Sequence, residues 1–369
     1  MHTDPRNGQI DMLRGVSILL VLFHHFNIAY PVKDTALAAA LGWPAVQAVA
    51  RNGNYGVTMF FVISGFLITS NALERWGSLE RIRLPDFYAL RAARILPTLF
   101  LMLLIVDALA LAGVRIFDNR VGAPVSLWTA NIAGATFWMN VLITRHGWIN
   151  YPLGVLWSLS VEVAFYLLFP LAFLWLRRPS HLLVLAVLAV CAGPLYRYAT
   201  PGEHSAYLYA YPACFDAIVI GCCAALLARR GPYPTLQRRS TRAGTVALMV
   251  LLYLAWPIAQ NNVLGPTAMA LATALLLLGG THPPTSKVSL VLTAFGRRSY
   301  EIYLFHLLVL GLMRTAIPPA LTAGDEKTGL LIAYLMLSGA VGVCVARLWS
   351  DPLNQVLRRR VIRDPAFAR

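Results

Sequence analysis

Charged residues are scarce in this sequence, and acidic ones are scarcer than basic ones. Only 13% of the 369 residues are charged, with 16 Asp and Glu against 31 Lys and Arg. Apolar residues make up 58% and recur in runs of roughly 20, a composition typical of helical membrane proteins. The longest polar intervals, 71–94 and 229–242, are too short to bury a hydrophobic core. The sequence therefore predicts one membrane-embedded domain over residues 1–369, without an appended soluble domain.

Several recognisable signals are also missing. The five cysteines lie in apolar segments without metal-ligand spacing, so we expect structural thiols and no metal. No internal repeat is visible, which argues against a secondary transporter. The first apolar run has no small-residue cleavage site and is long enough to span a bilayer, so we expect no cleavable signal peptide. The cysteines are Cys191, Cys214, Cys222, Cys223 and Cys344.

The net charge of +15 has a membrane explanation. In a soluble protein such a charge would suggest binding to nucleic acid. Here the basic residues lie between the apolar runs, where the positive-inside rule accounts for them. We therefore expect a lipid bilayer around the chain and no nucleic-acid partner.

The apolar runs predict an all-α fold with about ten membrane-spanning helices. Their predicted ranges are 10–30, 55–73, 95–113, 153–176, 181–198, 207–228, 243–259, 264–280, 300–317 and 330–349.

An eleventh apolar segment, 126–144, is more polar than the others, because it contains two asparagines between two tryptophans. If it spans the membrane, the later basic loops fall outside the cell. If it is re-entrant or interfacial, most of the basic residues lie on one side, and both termini are cytoplasmic. We predict the second arrangement. Irregular backbone at membrane depth needs protein or water around it, so we expect 126–144 to line the same cavity as the first helix.

The first predicted helix carries polar residues that are costly inside a bilayer: Asp11, Arg14, His24 and His25. Arg14 and His25 are eleven residues apart, about three helical turns, so they share one face at a separation of roughly 16 Å along the axis. Intramembrane ionisable groups normally face the interior of a bundle or a water-filled path. The pattern therefore predicts an internal polar cavity.

His25 is the candidate general base, because histidine can take a proton from an acceptor hydroxyl as its oxygen attacks a thioester or similar carbonyl. The alternative is a histidine that is hydrogen-bonded within the bundle. His24 is rotated by about 100° from His25 and is expected to pack or to support the site. Arg91 and Arg94 share a helix face next to the cytoplasmic surface, where they could bind phosphate or simply anchor the helix.

Other polar residues lie inside predicted spans. Glu162, close to Ser158 and Ser160, could orient His25 or pair with a structural arginine. Asp216 has the same two interpretations, of which the structural one is favoured. Ser299, Tyr303 and His306 lie on neighbouring turns of one face, where they could line the cavity or close a polar network.

In their order along the chain these stretches resemble the acyltransferase family 3 membrane proteins. The stretches are Arg14 with His25, the run 55–68 that includes Ser64, Arg91 with Arg94, 156–162 followed by Phe165 and Tyr166, Ser299 and Tyr300 followed by Tyr303 and His306, and the closing pair Asp351 and Pro352. Two positions depart from the family pattern: Thr58, where an acidic residue is frequent, and Glu301, where a small residue is more usual.

The resemblance implies an integral membrane O-acyltransferase of the bacterial inner membrane. Such an enzyme takes an acyl group, usually acetyl, from cytoplasmic acyl-CoA and places it on a hydroxyl of a carbohydrate, glycolipid or macrolide-like acceptor. By this analogy His25 is the catalytic base, and Arg14, Arg91 and Arg94 hold the donor. From the residues themselves we also expect Glu162 to be catalytic and no metal to take part. The residues expected to line or support the cavity are Asp11, His24, Ser64, Ser158, Ser160, Asp216, Ser299, Tyr300, Glu301, Tyr303 and His306.

Two other functions fit the same polar cavity. One is a carrier or flippase that moves a lipid-linked or glycosylated substrate without chemistry. The other is an assembly protein of an envelope polysaccharide complex, in which substitution of His25 or Arg14 leaves the product unchanged. A homo-oligomer is compatible with all three functions.

Overall fold

A computed structural model describes residues 8–119, 123–175, 179–200, 206–280 and 286–363. Within these ranges all of the regular secondary structure is helical, which confirms the predicted all-α fold. The α-helices are α1 Gly8–Ala29, α2 Ala36–Leu41, α3 Trp43–Ala50, α4 Asn54–Trp76, α5 Leu84–Leu111, α6 Leu127–Ala135, α7 Met139–His146, α8 Leu156–Trp175, α9 Pro179–Ala199, α10 Ala206–Tyr209, α11 Tyr211–Ala228, α12 Pro234–Gln237, α13 Arg239–Ala255, α14 Gly265–Leu278, α15 Lys287–Arg297, α16 Ser299–Ala316, α17 Glu326–Val345 and α18 Asp351–Arg363. A π-helical turn, Ala346–Ser350, joins α17 to α18.

Every predicted span coincides with a helix. Seven helical stretches within the described ranges are long and apolar enough to cross a membrane, which identifies a polytopic membrane protein. The other three predicted spans correspond to α13, α14 and α16, which are shorter or more polar than the seven. The exact number of ten spans therefore stays a prediction. Large apolar side chains such as Leu183 and Leu188 on α9 are exposed, as expected for a surface that faces lipid.

Segment 126–144 forms two short helices, α6 and α7, of 9 and 8 residues. A membrane-spanning helix needs about 20 residues, so neither helix spans, as predicted. The two helices meet at Phe137, whose φ of 63° places it in the left-handed region. The hydroxyl of Ser160 accepts a hydrogen bond from the Met139 amide (3.1 Å), which fixes the start of α7 against α8.

Helix α1 is held in the bundle by a very close approach to α15. A Cβ atom at Gly296 would lie 1.6 Å from the carbonyl oxygen of Asp11, and one at Gly15 would lie 1.9 Å from that of Leu292. Small residues at such crossings let two helix backbones come into direct contact. The orientation of α1, and hence of its polar face, depends on this pair of glycines.

One end of the bundle carries a group of arginines. At this end, which we call the arginine end, Arg75, Arg91, Arg94 and Arg358 from α4, α5 and α18 surround the mouth of a cavity.

At the opposite end, the loop after α1 is bound to the loop before α17. Asp34 accepts hydrogen bonds from the Lys327 ammonium (2.6 Å) and the Gly324 amide (3.0 Å), and these two groups lower the pKa of Asp34 to about 2. Asp325 in turn accepts from the amide of Ala36 (2.7 Å). These contacts join the end of α1 to the start of α17.

Candidate functional site

A cavity of about 710 Å³ enters the bundle from the arginine end. Its walls come from α1, α4, α5, α8, α16 and α18, and its volume is within the range of small-molecule sites. Many of the residues predicted from the sequence line it together. They are Arg14, Ser64, Arg91, Arg94, Ser158, Glu162, Ser299, Tyr300 and Tyr303.

The arginines of the cavity are held by aromatic rings and by one carboxylate. The guanidinium of Arg94 lies 5.2 Å from the centre of the Tyr300 ring and 3.5 Å from a carboxylate oxygen of Glu301. The guanidinium of Arg91 lies 5.1 Å from the centre of the Tyr166 ring. Such stacking fixes the direction of a guanidinium and leaves its N–H groups free to bind an anion.

Glu301 is fully buried, and neither of its carboxylate oxygens has a hydrogen-bond partner among the described residues. Its charge is balanced by Arg94, and Arg14 is also within electrostatic range of it. The departure from the family pattern at this position therefore places a negative charge directly behind two cavity arginines. It reduces the positive charge that the inner cavity presents to a ligand.

Glu162 contacts different residues from those proposed on the basis of the sequence. Its carboxylate accepts hydrogen bonds from the hydroxyls of Ser64 and Tyr166, and these two hydroxyls lie 2.6 Å apart. The described contacts of His25 do not include Glu162. Because α8 directs Glu162 towards α4, the carboxylate belongs to the wall of the cavity, and another residue orients His25.

Two hydroxyl groups form the inner end of the cavity. Tyr303 donates a hydrogen bond to the carbonyl oxygen of Val155 (3.2 Å) and accepts one from Ser158 (2.8 Å). The ring of Tyr303 lies 5.6 Å from that of His306, which is fully buried. Tyr303 therefore connects the cavity to the histidines behind it.

His25 contacts His306 and does not itself line the cavity. The two rings are 4.9 Å apart, and His306 Nε2 lies 3.3 Å from His25 Nδ1. Each Nδ1 also faces a backbone carbonyl oxygen: His306 Nδ1 lies 2.6 Å from the oxygen of Tyr303, and His25 Nδ1 lies 3.0 Å from that of Val21.

These contacts assign the protons of the two neutral rings. A carbonyl oxygen can only accept, so His306 carries its proton on Nδ1 and accepts at Nε2. His25 then carries its proton on Nδ1 and shares it between Val21 and His306. The lone pair of His25 is left on Nε2, the atom that a general base would use.

His24 and Trp148 surround His25 on its other sides. The Nδ1 atom of His24 lies 2.6 Å from the carbonyl oxygen of Ala50, and its side chain packs on Gly53, where a Cβ would be only 2.4 Å away. The ring of Trp148 lies 6.2 Å from that of His25. His24 therefore packs beside His25 and does not line the cavity.

Three other predicted site residues lie outside the cavity. Asp11 pairs with Arg297 (3.3 Å), and the hydroxyl of Ser160 supports α7. Asp216 is almost fully buried and pairs with Arg197 (2.8 Å), which is equally buried. These contacts are structural, because each polar group is satisfied by another helix.

The expectation that 126–144 lines the same cavity as α1 was wrong. Residues from this segment are absent from the cavity wall. Ala130, Ala133 and Gly134 are buried, and a Cβ at Gly134 would meet Leu156 of α8 at 2.8 Å. Small residues let α6 pack tightly on α8, so the segment contacts protein on the outer side of the cavity wall.

Sequence reasoning also missed several cavity residues. Tyr166 is four residues after Glu162, so helical spacing could have placed both on one face. From the sequence, Arg75 and Arg358 were interpreted only as membrane anchors. Asn354 and Arg358 are also four residues apart, so helical spacing could have placed both on one face. Trp148, which contacts His25 and does not line the cavity, was also missed. It has no local signal, since it lies in a loop whose position depends on the whole fold.

Within the described ranges, groups of three or more His, Cys, Asp or Glu side chains arranged to hold a metal ion are absent. The chemical groups that the site does offer are a histidine with a free Nε2 lone pair, hydroxyl groups in the cavity wall, and guanidinium groups at the mouth of the cavity.

Several known proteins are similar in sequence to this chain, and their names describe O-acetyltransferases. The peptidoglycan O-acetyltransferase OatA of Listeria monocytogenes is 27% identical over 325 residues, which is 80% of this chain and 48% of that protein. A Staphylococcus aureus (strain COL) protein provisionally named as an O-acetyltransferase is 24% identical over 333 residues, which is 83% of this chain and 51% of that protein. The chain thus spans about half the length of the curated relatives it matches.

No solved structure matches the chain. The model of acyltransferase family 3, described as an acyltransferase domain, matches residues 7–349. This match includes α1 to α17 and every predicted catalytic or donor-binding residue, from Arg14 to Glu162. The chain therefore belongs to acyltransferase family 3.

Proposed function

We propose that this chain is an acyl-CoA-dependent O-acyltransferase with His25 as its general base. It transfers an acyl group, acetyl in the first instance, to a hydroxyl of a carbohydrate or related acceptor. The names of the relatives support O-acetylation as the reaction, and peptidoglycan is an example of a carbohydrate acceptor.

One observation carries the proposal: a single cavity has arginines at its mouth and leads, through Tyr303 and His306, to His25. Arginine binds phosphate groups with two parallel hydrogen bonds, so Arg91 and Arg94 suit the phosphates of CoA. Arg14 lies deeper in the cavity. A donor held in this way would direct its thioester towards Tyr303, behind which His306 and His25 lie.

The proposed step uses the lone pair on His25 Nε2. The acceptor hydroxyl gives its proton to this atom, and its oxygen forms a bond with the carbonyl carbon of the thioester. The carbon–sulfur bond breaks, the ester remains on the acceptor, and the sulfur takes the proton from His25 to give free CoA. His306 Nε2 accepts a hydrogen bond from the Nδ1–H of His25 throughout and so keeps Nε2 of His25 directed at the acceptor.

The same proposal assigns roles to Glu162 and Tyr166, an orientation to the bundle and a route to the acceptor. Glu162 holds Ser64 and Tyr166 in the cavity wall, and Tyr166 in turn supports Arg91. The arginine end and both termini face the cytoplasm of a bacterial cell, and the chain lies in the inner membrane. The acceptor reaches His25 from the side of Trp148.

The test is the release of CoA from labelled acetyl-CoA by the purified chain with a mixture of sugar acceptors. We expect His25→Ala to lower turnover by a factor of about 10²–10⁴, the usual contribution of a general base, while acetyl-CoA still binds. The control is His181→Ala, because His181 is exposed on α9, away from the cavity. Turnover that survives in His25→Ala would remove the base assignment, and binding of acetyl-CoA without any turnover by the wild type would favour a carrier.

A further inference from the structure

The cavity includes residues from α18, a helix that begins beyond the part of the chain matched by the family model. The match ends at residue 349, and α18 begins at Asp351. Asn354 and Arg358 are one helical turn apart and both line the cavity. The C-terminal helix therefore supplies one side of the arginine end.

The position of α18 is set by contacts with two other helices of the site. Asp351 pairs with Arg298 (2.7 Å), which directly precedes α16. The hydroxyl of Ser350 lies 2.7 Å from that of Thr98 on α5, and both are buried. Helix α5 also carries Arg91 and Arg94, so these contacts keep Arg358 on the same side of the bundle as the predicted donor-binding pair.

The arginine end has an excess of positive charge. Among the described residues, no carboxylate lies within 4 Å of the charged groups of Arg75, Arg91 or Arg358. Arg94 shares Glu301 with the inner cavity. Glu74 and Glu162 also line the cavity, but neither is within ion-pair distance of these three arginines. Like charges repel one another, so an anion bound between the arginines would lower the repulsion at the mouth.

We propose that Arg358 binds a phosphate group of the donor alongside Arg91 and Arg94, which makes α18 part of the donor site. This inference rests on the proposed function, because it takes the donor to carry more than one phosphate. Guanidinium groups on α4, α5 and α18 approach the mouth from three directions, as suits a ligand with several anionic groups. A phospholipid headgroup offers the same chemistry, and the experiment separates the two sources.

The experiment measures CoA binding by calorimetry with the whole chain in a maltoside detergent, which contains no phosphate. Arg358→Gln is compared with Arg359→Gln, its neighbour on α18 that is exposed and is not part of the cavity wall. A charge-assisted hydrogen bond contributes about 1.5–3 kcal/mol, so we expect Arg358→Gln to weaken CoA binding about 10- to 100-fold. Arg359→Gln is expected to bind within about twofold of the wild type.

Each other outcome overturns the inference in a different way. Equal binding by both variants and the wild type removes Arg358 from the donor site and leaves the proposed function intact. An equal loss of CoA affinity in both variants would mean that CoA responds to the overall positive charge and not to Arg358 itself. Normal CoA binding together with loss of co-purifying phospholipid from Arg358→Gln would assign the residue to a lipid headgroup. If the wild type itself binds no CoA, the donor of the proposed function fails, and this inference fails with it.

Discussion

Two residues of the first helix serve different parts of the site. Arg14 faces the cavity, and His25, about three turns further along α1, contacts His306 behind the cavity. The separation of roughly 16 Å along the axis keeps the positive charge of Arg14 away from His25. Under the proposed function, one rigid helix would carry both the charge that binds the donor and the lone pair that takes the proton.

His306 is expected to act as a positioning residue for His25. In His306→Phe the ring volume is kept, but the acceptor for the Nδ1 proton of His25 is lost. We expect kcat to fall about 10- to 100-fold, while the Kd for acetyl-CoA stays within about twofold, because the arginines are untouched. Steady-state kinetics and calorimetry measure both. Unchanged kcat in this variant would mean that the contact between the two histidines has no role in orienting the base.

Asp216 is expected to stabilise the fold and to take no part in turnover. Asp216→Ala leaves the guanidinium of Arg197 buried without its carboxylate, a change that typically costs about 3–5 kcal/mol. We expect a large drop in the thermal unfolding midpoint and unchanged acetyl-CoA affinity in the protein that remains folded. A variant with normal stability and lost turnover would return Asp216 to the active site.

At the scale of helices, the crossing of α1 and α15 determines where the polar face of α1 points. Both helices bring a glycine to the crossing, and the backbone of each occupies the space that a side chain on the other would need. In a membrane, where lipid is as apolar as a helix surface, such close packing is a main source of helix association.

Gly296→Ala tests this crossing. The new Cβ would be 1.6 Å from the backbone oxygen of Asp11, so α1 must move away, and we expect a loss of about 1–3 kcal/mol of stability together with reduced turnover. The matched control is Gly244→Ala on α13, where a Cβ meets no atom within 4 Å of the described structure. Alanine is the better helix former, so the control is expected to be as stable as the wild type or slightly more stable. Equal stability of the two variants would contradict the close crossing.

At the scale of the whole molecule, the two ends of the bundle differ in structure. The cavity opens at the arginine end, and the opposite end joins the loops after α1 and before α17 through Asp34 and Lys327. His25 lies near the C-terminal end of α1, close to Trp148. A donor and an acceptor that approach from opposite ends would meet at the histidine.

The orientation of the bundle can be measured by cysteine labelling in a variant without the native cysteines. Glu80→Cys is exposed between α4 and α5 at the arginine end, and Ala323→Cys is exposed in the loop before α17. We expect a membrane-impermeant maleimide to label position 323 in intact cells and position 80 only after permeabilisation. The reverse pattern would place the donor site outside the cell and contradict the use of cytoplasmic acyl-CoA.

The sequence alone determined the elements of this protein. Every predicted span became a helix, because a long apolar run can satisfy its backbone in lipid only by forming one. Relations within one helix were also accessible, such as the shared face of Arg91 and Arg94, because helical spacing is a local property.

Contacts between helices were decided only by the tertiary structure. His25 and His306 are 281 residues apart, and the sequence offered Glu162 as one possible partner of His25, because nothing local identifies His306 as its contact. The same holds for Arg358. In the sequence it belongs to a basic segment that is expected to anchor the chain at the membrane surface. Only the contact of Ser350, directly before α18, with Thr98 of α5 brings Arg358 to the cavity. The apolar surfaces of the helices are too similar to specify which helices become neighbours. The contacts of the polar residues are therefore known only once all the helices are packed together.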